Sequence, residues 1–195
     1  MFTGIIEEMV EVIDLQKVGS NLNIFCKSSN IREFKINQSI AHNGVCLSIT
    51  DIKNNIYQVT AVKETLSKTN LNLLEIGSMI NIERSMKMSD RLDGHIVQGH
   101  IDTTAICKSI KKEKGSHFLT FEYDNTELIT VEKGSVCVNG ISLTVCESKS
   151  STFSVAIIPY TFENTNFKNL KVGDEVNIEF DIVGKYISKM VYKDI

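Results

Sequence analysis

The chain has 195 residues, 42% of them hydrophobic, and a formal net charge of −3. That length holds one large domain or two of roughly 95 residues, a size that can bury its own core. The scattered charges argue against a nucleic-acid partner, the acidic start against a secretory leader, and no apolar run approaches the ~18 residues of a membrane span.

Taken in chain order, segments 22–27, 45–51, 57–62 and 79–83 are short, rich in Ile and Val, and bounded by Gly, Asn, Asp and Ser. These are strand signals. Asn43-Gly44 is the strongest hairpin signal of the first half, because both positions of a type I′ turn need positive φ. A short helix is expected near 65–74, between the fourth and fifth strands. The chain then repeats itself. NGVCLSI at 43–49 matches NGISLTV at 139–145, an offset of 96. The same offset aligns 59–71 with 155–167 and 77–83 with 173–179, and FTGIIEE at 2–8 matches VQGHIDT at 97–103 at an offset of 95. Asn139-Gly140 marks the second hairpin, and a second short helix is expected near 161–170. Four blocks in one order point to a duplicated domain, since a solenoid needs a shorter period and at least three copies. The only proline is Pro159, so strands are rarely interrupted.

The expected fold is all-β: two tandem six-stranded Greek-key β-barrels with short helices, closed so that no sheet edge is left open, plus a C-terminal α-helix. The domains are 1–95, 96–182 and 183–195. In the last, Val183, Ile187, Met190 and Val191 fall at helical spacing. Asp181 suits the N-cap, and Lys189 and Lys193 suit the C-terminal end. The apolar stripe either docks on its own barrel or drives self-association.

The five cysteines, Cys26, Cys46, Cys107, Cys137 and Cys146, are odd in number and form no CxxC pair. This reads as a reducing, cytoplasmic setting, with most of the thiols acting as buried small hydrophobes. His95 and His100 lie five apart without companion ligands, so a zinc site is a poor reading. No GxGxxG or βαβ region marks a nucleotide domain.

Several blocks resemble the riboflavin synthase family over nearly the whole chain. They are Met1-Phe2-Thr3-Gly4-Ile5-Ile6, Ala41-His42-Asn43-Gly44 with Cys46-Leu47, and Lys63-Glu64-Thr65-Leu66 with Thr69-Asn70-Leu71. Gly94-His95, Gly99-His100-Ile101 and Asn139-Gly140-Ile141-Ser142-Leu143-Thr144 complete the set. The resemblance implies that each barrel holds one 6,7-dimethyl-8-ribityllumazine and that the terminal helix builds a homotrimer. The N-terminal barrel of one subunit would face the C-terminal barrel of a neighbour. One lumazine would give a four-carbon unit to the other, yielding riboflavin and 5-amino-6-ribitylamino-uracil, with no metal or redox cofactor. It leaves open an association with lumazine synthase.

The resemblance also implies site residues. Catalytic roles fall to Cys46, His100, Ser39, Thr144 and Asp181. Substrate contacts in the first half fall to Gly4, Ile5, Ile6, Cys46, Leu47, Ser48, Thr60, Ala61, Val62, Lys63, Glu64 and Thr65. In the second half they fall to Gly99, His100, Ile101, Lys133, Ser142, Leu143, Thr144, Ile157, Ile158, Pro159, Tyr160, Thr161 and Phe162. Read from the residues alone, Cys46 is also a small apolar side chain, His100 a surface histidine, Asp181 a helix cap and Lys133 a solvated lysine. The chemistry asks for two similar pockets holding two molecules in register, a base for the lumazine C7 methyl, and polar donors at the ring. The halves differ where donor and acceptor must differ: Cys46 becomes Ser142, Ser48 becomes Thr144, and Lys63-Glu64-Thr65 becomes Pro159-Tyr160-Thr161. The Lys-Glu-Thr and Gly-His blocks weigh against the alternative, a non-catalytic lumazine- or flavin-binding protein of the same double-barrel build.

Overall fold

Strand residues alternate between two faces, and a sheet with one apolar face hides it by closing on itself. The chain does this twice. In the computed structural model, which describes residues 1–124 and 130–191, β1 (Glu8–Val18), β2 (Asn21–Lys27), β3 (Ser39–His42), β4 (Val45–Lys53), β5 (Ile56–Ala61) and β6 (Met79–Arg84) form a closed barrel in the order β1-β2-β5-β4-β3-β6. The second barrel has the same order from β7 (Thr103–Glu113), β8 (Ser116–Tyr123), β9 (Ser135–Val138), β10 (Ile141–Ser148), β11 (Thr152–Ile157) and β12 (Glu175–Phe180). All pairings are antiparallel.

The duplication extends to irregularities. β-bulges fall between Val12 and Asp14 and between Ile49 and Asp51, and recur between Cys107 and Ser109 and between Val145 and Glu147. Both Asn-Gly hairpins adopt the expected left-handed pair, with φ of 46° at Asn43 and Asn139, 81° at Gly44 and 82° at Gly140. A side chain built on Gly44 would meet the backbone nitrogen of Gly140 at 2.8 Å. The two hairpins therefore pack back to back, and only glycine fits there.

Each barrel is filled by its own side chains. Ile24, Ile40, Ile49, Val59 and Ile80 fill the first, and Leu119, Phe121, Val145, Val155 and Ile178 the second. The interior therefore has no room for a ligand, which must lie on an outer face. The first core also carries a polar group. His42, fully buried, lies with Nε2 2.9 Å from the Tyr57 hydroxyl and Nδ1 3.1 Å from the Ile40 carbonyl. At the matching places the second barrel has Val138 and Phe153.

Six asparagines join the barrels. Asn81 Nδ2 donates to the Asn139 carbonyl at 2.9 Å, and Asn177 Nδ2 to the Asn43 carbonyl at 2.9 Å. Asn166 N–H donates to Asn81 Oδ1 and Asn70 N–H to Asn177 Oδ1, each at 2.7 Å. Buried amides of this kind fix one orientation because any slip leaves donors unpaired.

Two expectations are corrected. The short helices lie between the fifth and sixth strands, not the fourth and fifth. They also begin earlier and break: α1 (Lys63–Lys68) is followed by a 3-10 turn at Asn70–Leu73, and α2 (Pro159–Glu163) by one at Asn166–Asn169. Thr69 and Thr165, whose hydroxyls turn back to the carbonyls of Thr65 and Thr161 at 2.7 Å, sit at the breaks. Of the two alternatives left open for the terminal helix, α3 (Ile182–Val191) does not take docking of its stripe on its own barrel: Val183, Ile187, Met190 and Val191 are all exposed, with Tyr186 beside them. Asp181 caps it, its carboxylate accepting from the Val183 N–H at 3.0 Å. Lys193 lies outside the described residues. Among the described residues no helix is long and apolar enough to cross a membrane.

Candidate functional site

Alternation along β4 sorts the expected residues by face. Val45, Leu47 and Ile49 point into the barrel, so Cys46 and Ser48 point out. β3 pairs with β4 so that Ser39 stands opposite Ser48 and Ala41 opposite Cys46. These four share one patch, since cross-strand partners lie ~5 Å apart. Thr60 of β5 also faces outward, its hydroxyl donating to Asn23 Oδ1 at 2.8 Å. Leu47 and Ala61 face the core, so only their backbones can meet a ligand outside. Val62, Lys63 and Glu64 are exposed where β5 runs into α1, and Thr65 is half-buried there. Glu64 pairs with Lys68 at 3.2 Å, an exposed contact of little energetic weight.

The second barrel repeats the patch. Ser142 and Thr144 face outward from β10, opposite Cys137 and Ser135 of β9. Leu143 and Ile157 face the core, while Ile158, Pro159 and Tyr160 are exposed and Thr161 and Phe162 half-buried at the start of α2. Phe162 stacks on His117 with ring centroids 3.8 Å apart.

The glycine segments cross over. The N-terminal segment does not serve the first barrel: the Gly4 carbonyl accepts from the Ser142 N–H at 2.8 Å, and Ile6 packs against the second core. Conversely, the Gly99 carbonyl accepts from the Cys46 N–H at 2.9 Å, and Ile101 packs against the first core. The segments meet where Phe2 and Val97 exchange backbone bonds at 2.7 and 3.1 Å. Each crossing strand is fixed by a buried glutamate. Glu83 accepts from Thr3 N–H, Thr3 hydroxyl and Gly4 N–H at 2.6, 2.8 and 2.9 Å. Glu179 accepts from Gln98, Gly99 and His100 N–H at 2.7, 2.9 and 2.9 Å. Burial raises both carboxyls above the ordinary range, and these donors pull them back. Both backbone groups of Gly4 thus carry a bond within the chain.

The structure therefore gathers Ser39, Cys46, Ser48 and Thr60 with Gly99, His100 and Ile101, and Ser142 and Thr144 with Gly4, Ile5 and Ile6. His100 is exposed beside Cys46. Asp181 lies at the junction of β12 and α3, on a cavity of about 290 Å³ whose walls include Gly134, Ser135, Phe180 and Val183. Lys133 sits in a turn at φ 64° before β9, its N–H donating to the Val145 carbonyl at 2.8 Å, one residue beyond Thr144.

One residue escaped the site assignment. His95 is buried, and its Nδ1 lies 2.7 Å from Ser142 Oγ. Its only trace in the sequence is the Gly94-His95 block. Gly94 is required by space, because a Cβ there would come 2.0 Å from the Thr3 carbonyl and 2.8 Å from Ser142 Cβ. No cluster of three or more His, Cys, Asp or Glu able to hold a metal occurs among the described residues.

A family profile described as the lumazine binding domain matches the chain twice, at residues 3–85 and 98–181. A riboflavin synthase from Bacillus subtilis is 38% identical over 195 residues, covering 99% of this chain and 91% of the relative. Riboflavin synthases from Saccharomyces cerevisiae and Escherichia coli are each 35% identical, covering 98% and 93% of this chain and 86% and 87% of the relatives. Among solved structures, LumP complexed with 6,7-dimethyl-8-(1'-D-ribityl) lumazine superposes with a TM-score of 0.84 at 18% identity, covering 92% of this chain and 98% of that one. LumP complexed with riboflavin gives 0.85 at 19% identity, covering 92% and 99%.

Proposed function

The chain belongs to the riboflavin synthase family and is an enzyme of that family, and we infer that it converts two molecules of 6,7-dimethyl-8-ribityllumazine into riboflavin and 5-amino-6-ribitylamino-uracil. The observation that carries this reading is the pair of matched outer-face patches, built around Cys46 and Ser142 and each completed by a segment from the other repeat. Two like molecules that must react need two like cradles, and holding them in register supplies much of the rate.

In this reading Ser39, Cys46, Ser48, Thr60, Val62, Lys63, Glu64, Thr65 and His100 hold one ligand. Ser142, Thr144, Ile158, Pro159, Tyr160, Thr161 and Ile5 hold the other, with Lys133 and Asp181 at its edge. Hydroxyls and backbone groups meet the ring, and the start of each short helix meets the ribityl chain. Each patch is open in one chain, so a second copy closes it. The exposed stripe of α3 supports assembly, as a homotrimer in which the first barrel of one copy faces the second barrel of the next. All five cysteines are free, which suits the cytoplasm. Association with lumazine synthase is a separate question, answered by co-sedimentation.

The second reading, a lumazine- or flavin-binding protein without turnover, has the LumP complexes as fold neighbours. Incubation of the purified, chelator-treated chain with 6,7-dimethyl-8-ribityllumazine alone separates the two. Riboflavin formation supports the enzyme. Tight binding with no riboflavin leaves the binding protein.

A further inference from the structure

The terminal helix α3 is held to its own chain by very little. None of its described residues is buried, and beneath it lies the cavity of about 290 Å³, lined on the helix side by Val183, Gly184, Ile187 and Ser188. Among the described residues, its one side-chain bond to the barrels is an ion pair, Lys185 Nζ to Asp102 Oδ2 at 2.5 Å. The two side chains are only 17% and 19% exposed, so the pair is largely shielded from water, unlike the exposed contact of Glu64 with Lys68. Removing one partner of such a pair strands the other charge.

Asp102 holds its end of the bond from a fixed place. Its Oδ2 also accepts from the Phe180 N–H at 2.8 Å, and its own N–H donates to the Ile178 carbonyl at 2.9 Å. It ends the segment in which the Gly99 carbonyl holds the Cys46 N–H and Glu179 holds the Gln98, Gly99 and His100 N–H groups. Burial raises the Glu179 carboxyl, and the Lys185 ammonium is among the groups that lower it again. One lysine of α3 therefore acts on both carboxylates that fix this segment. The first repeat is built differently. Its acid at the place of Asp102 is Glu7, paired at 2.6 Å by Arg84 of β6 itself, and no helix stands between that strand and β7.

We propose that Lys185 and Asp102 are the positioning pair that aims α3 relative to the first barrel's patch, so that assembly brings a neighbour's second barrel onto that patch. The inference rests on the two-copy reading above. A helix that must meet a second copy loses less freedom on association when its direction is already set. With the pair intact, α3 leaves β12 in one direction, referred through Asp102 to the segment that lies on Cys46. Without it the helix is free to swing over the cavity beneath it, and its exposed stripe meets a partner in many orientations. The cost falls on assembly and leaves the chemistry of an assembled site unchanged.

The test is a double-mutant cycle on the full-length protein, read by sedimentation and by riboflavin formation from 6,7-dimethyl-8-ribityllumazine over a wide range of protein concentration. Lys185→Met keeps the stem and removes the charge, and Asp102→Asn keeps an acceptor for the Phe180 N–H. Each should raise the protein concentration needed for assembly by roughly tenfold or more, while turnover per assembled site at high concentration stays at the wild-type value. The double variant should assemble no worse than either single one, because the bond is broken once. Lys185→Arg keeps the charge and should recover most of the assembly. K185M with wild-type assembly overturns the pair while leaving the enzyme reading in place, and so do single effects that simply add in the double variant. Turnover that no protein concentration restores would mean that the pair serves the patch and not the helix, and overturns the aiming role. A wild-type chain that is monomeric yet active overturns the two-copy reading and the proposal with it. A wild-type oligomer that makes no riboflavin overturns the enzyme reading alone, since sedimentation still decides the pair. If K185M does not fold, D102N and K185R carry the comparison, and wild-type assembly by D102N overturns the pair.

Discussion

The Cys46 backbone N–H donates to the Gly99 carbonyl at 2.9 Å, across the boundary between the two sequence repeats. Gly99 stands at φ 81°, and a Cβ there would lie 2.5 Å from Cys46 Cβ. Gly99→Ala should therefore strain the backbone and lift the segment off the first patch, at a cost of ~1–3 kcal/mol. Denaturant unfolding measures the cost, and ligand titration should show weakened binding. Wild-type stability and binding in G99A would mean that the contact is incidental.

Cys46 lies half-buried on the outer face, opposite Ala41 and under the Gly99 segment. Cys46→Ala should lower turnover by roughly tenfold, about 1.4 kcal/mol of barrier, and leave ligand binding largely intact. Unaltered turnover would make Cys46 a packing residue.

Much of this was legible in the sequence, and the remainder has physical causes. The Asn-Gly turns were readable because few residues accept two successive positive φ values. The repeat offset equated Gly4 with Gly99 but could not say that each serves the other barrel, since a strand exchange leaves local patterns unchanged. β1 passed unread because Glu8, Glu11 and Asp14 interrupt its apolar residues. His95 escaped because its partner Ser142 is 47 residues away and no spacing rule links them. The inward side chains of Leu47 and Leu143 follow from alternation alone.

Acid should weaken the first barrel before the second. Burial lowers the His42 imidazole from 6.5 to about 4. The unfolded chain then binds more protons than the native one between those values, so stability rises with pH across this window and is lost on acidification. The loss is on the order of 3 kcal/mol. His42→Val with Tyr57→Phe copies the Val138 and Phe153 of the second barrel. That double variant should flatten the dependence of unfolding free energy on pH between about 6.5 and 4. An unchanged slope would place the acid sensitivity elsewhere.

Asn81 makes bonds of 2.9, 2.9 and 2.7 Å to Asn139 and Asn166 in the seam between barrels. Asn81→Ala leaves those partners buried and unpaired, at ~2 kcal/mol or more. Calorimetry should show a lower midpoint and separation of the two barrels' transitions. A single transition at the wild-type midpoint would show that the seam does not couple them.

In the proposed assembly the reaction runs between a first barrel and a second barrel on different copies, brought together by α3. All twelve strands are complete by Phe180, and Asp181 precedes the helix. Its exposed Val183, Ile187, Met190 and Val191 find no cover in one chain, and an amphipathic face of that kind needs a partner surface. The direct measurement is sedimentation together with riboflavin formation for a chain ending at Asp181. The expected result is a folded monomer that binds lumazine on each barrel and has lost most of its turnover, beside a full-length trimer that is active. A truncated monomer with full activity would place the reaction within one chain and contradict the account.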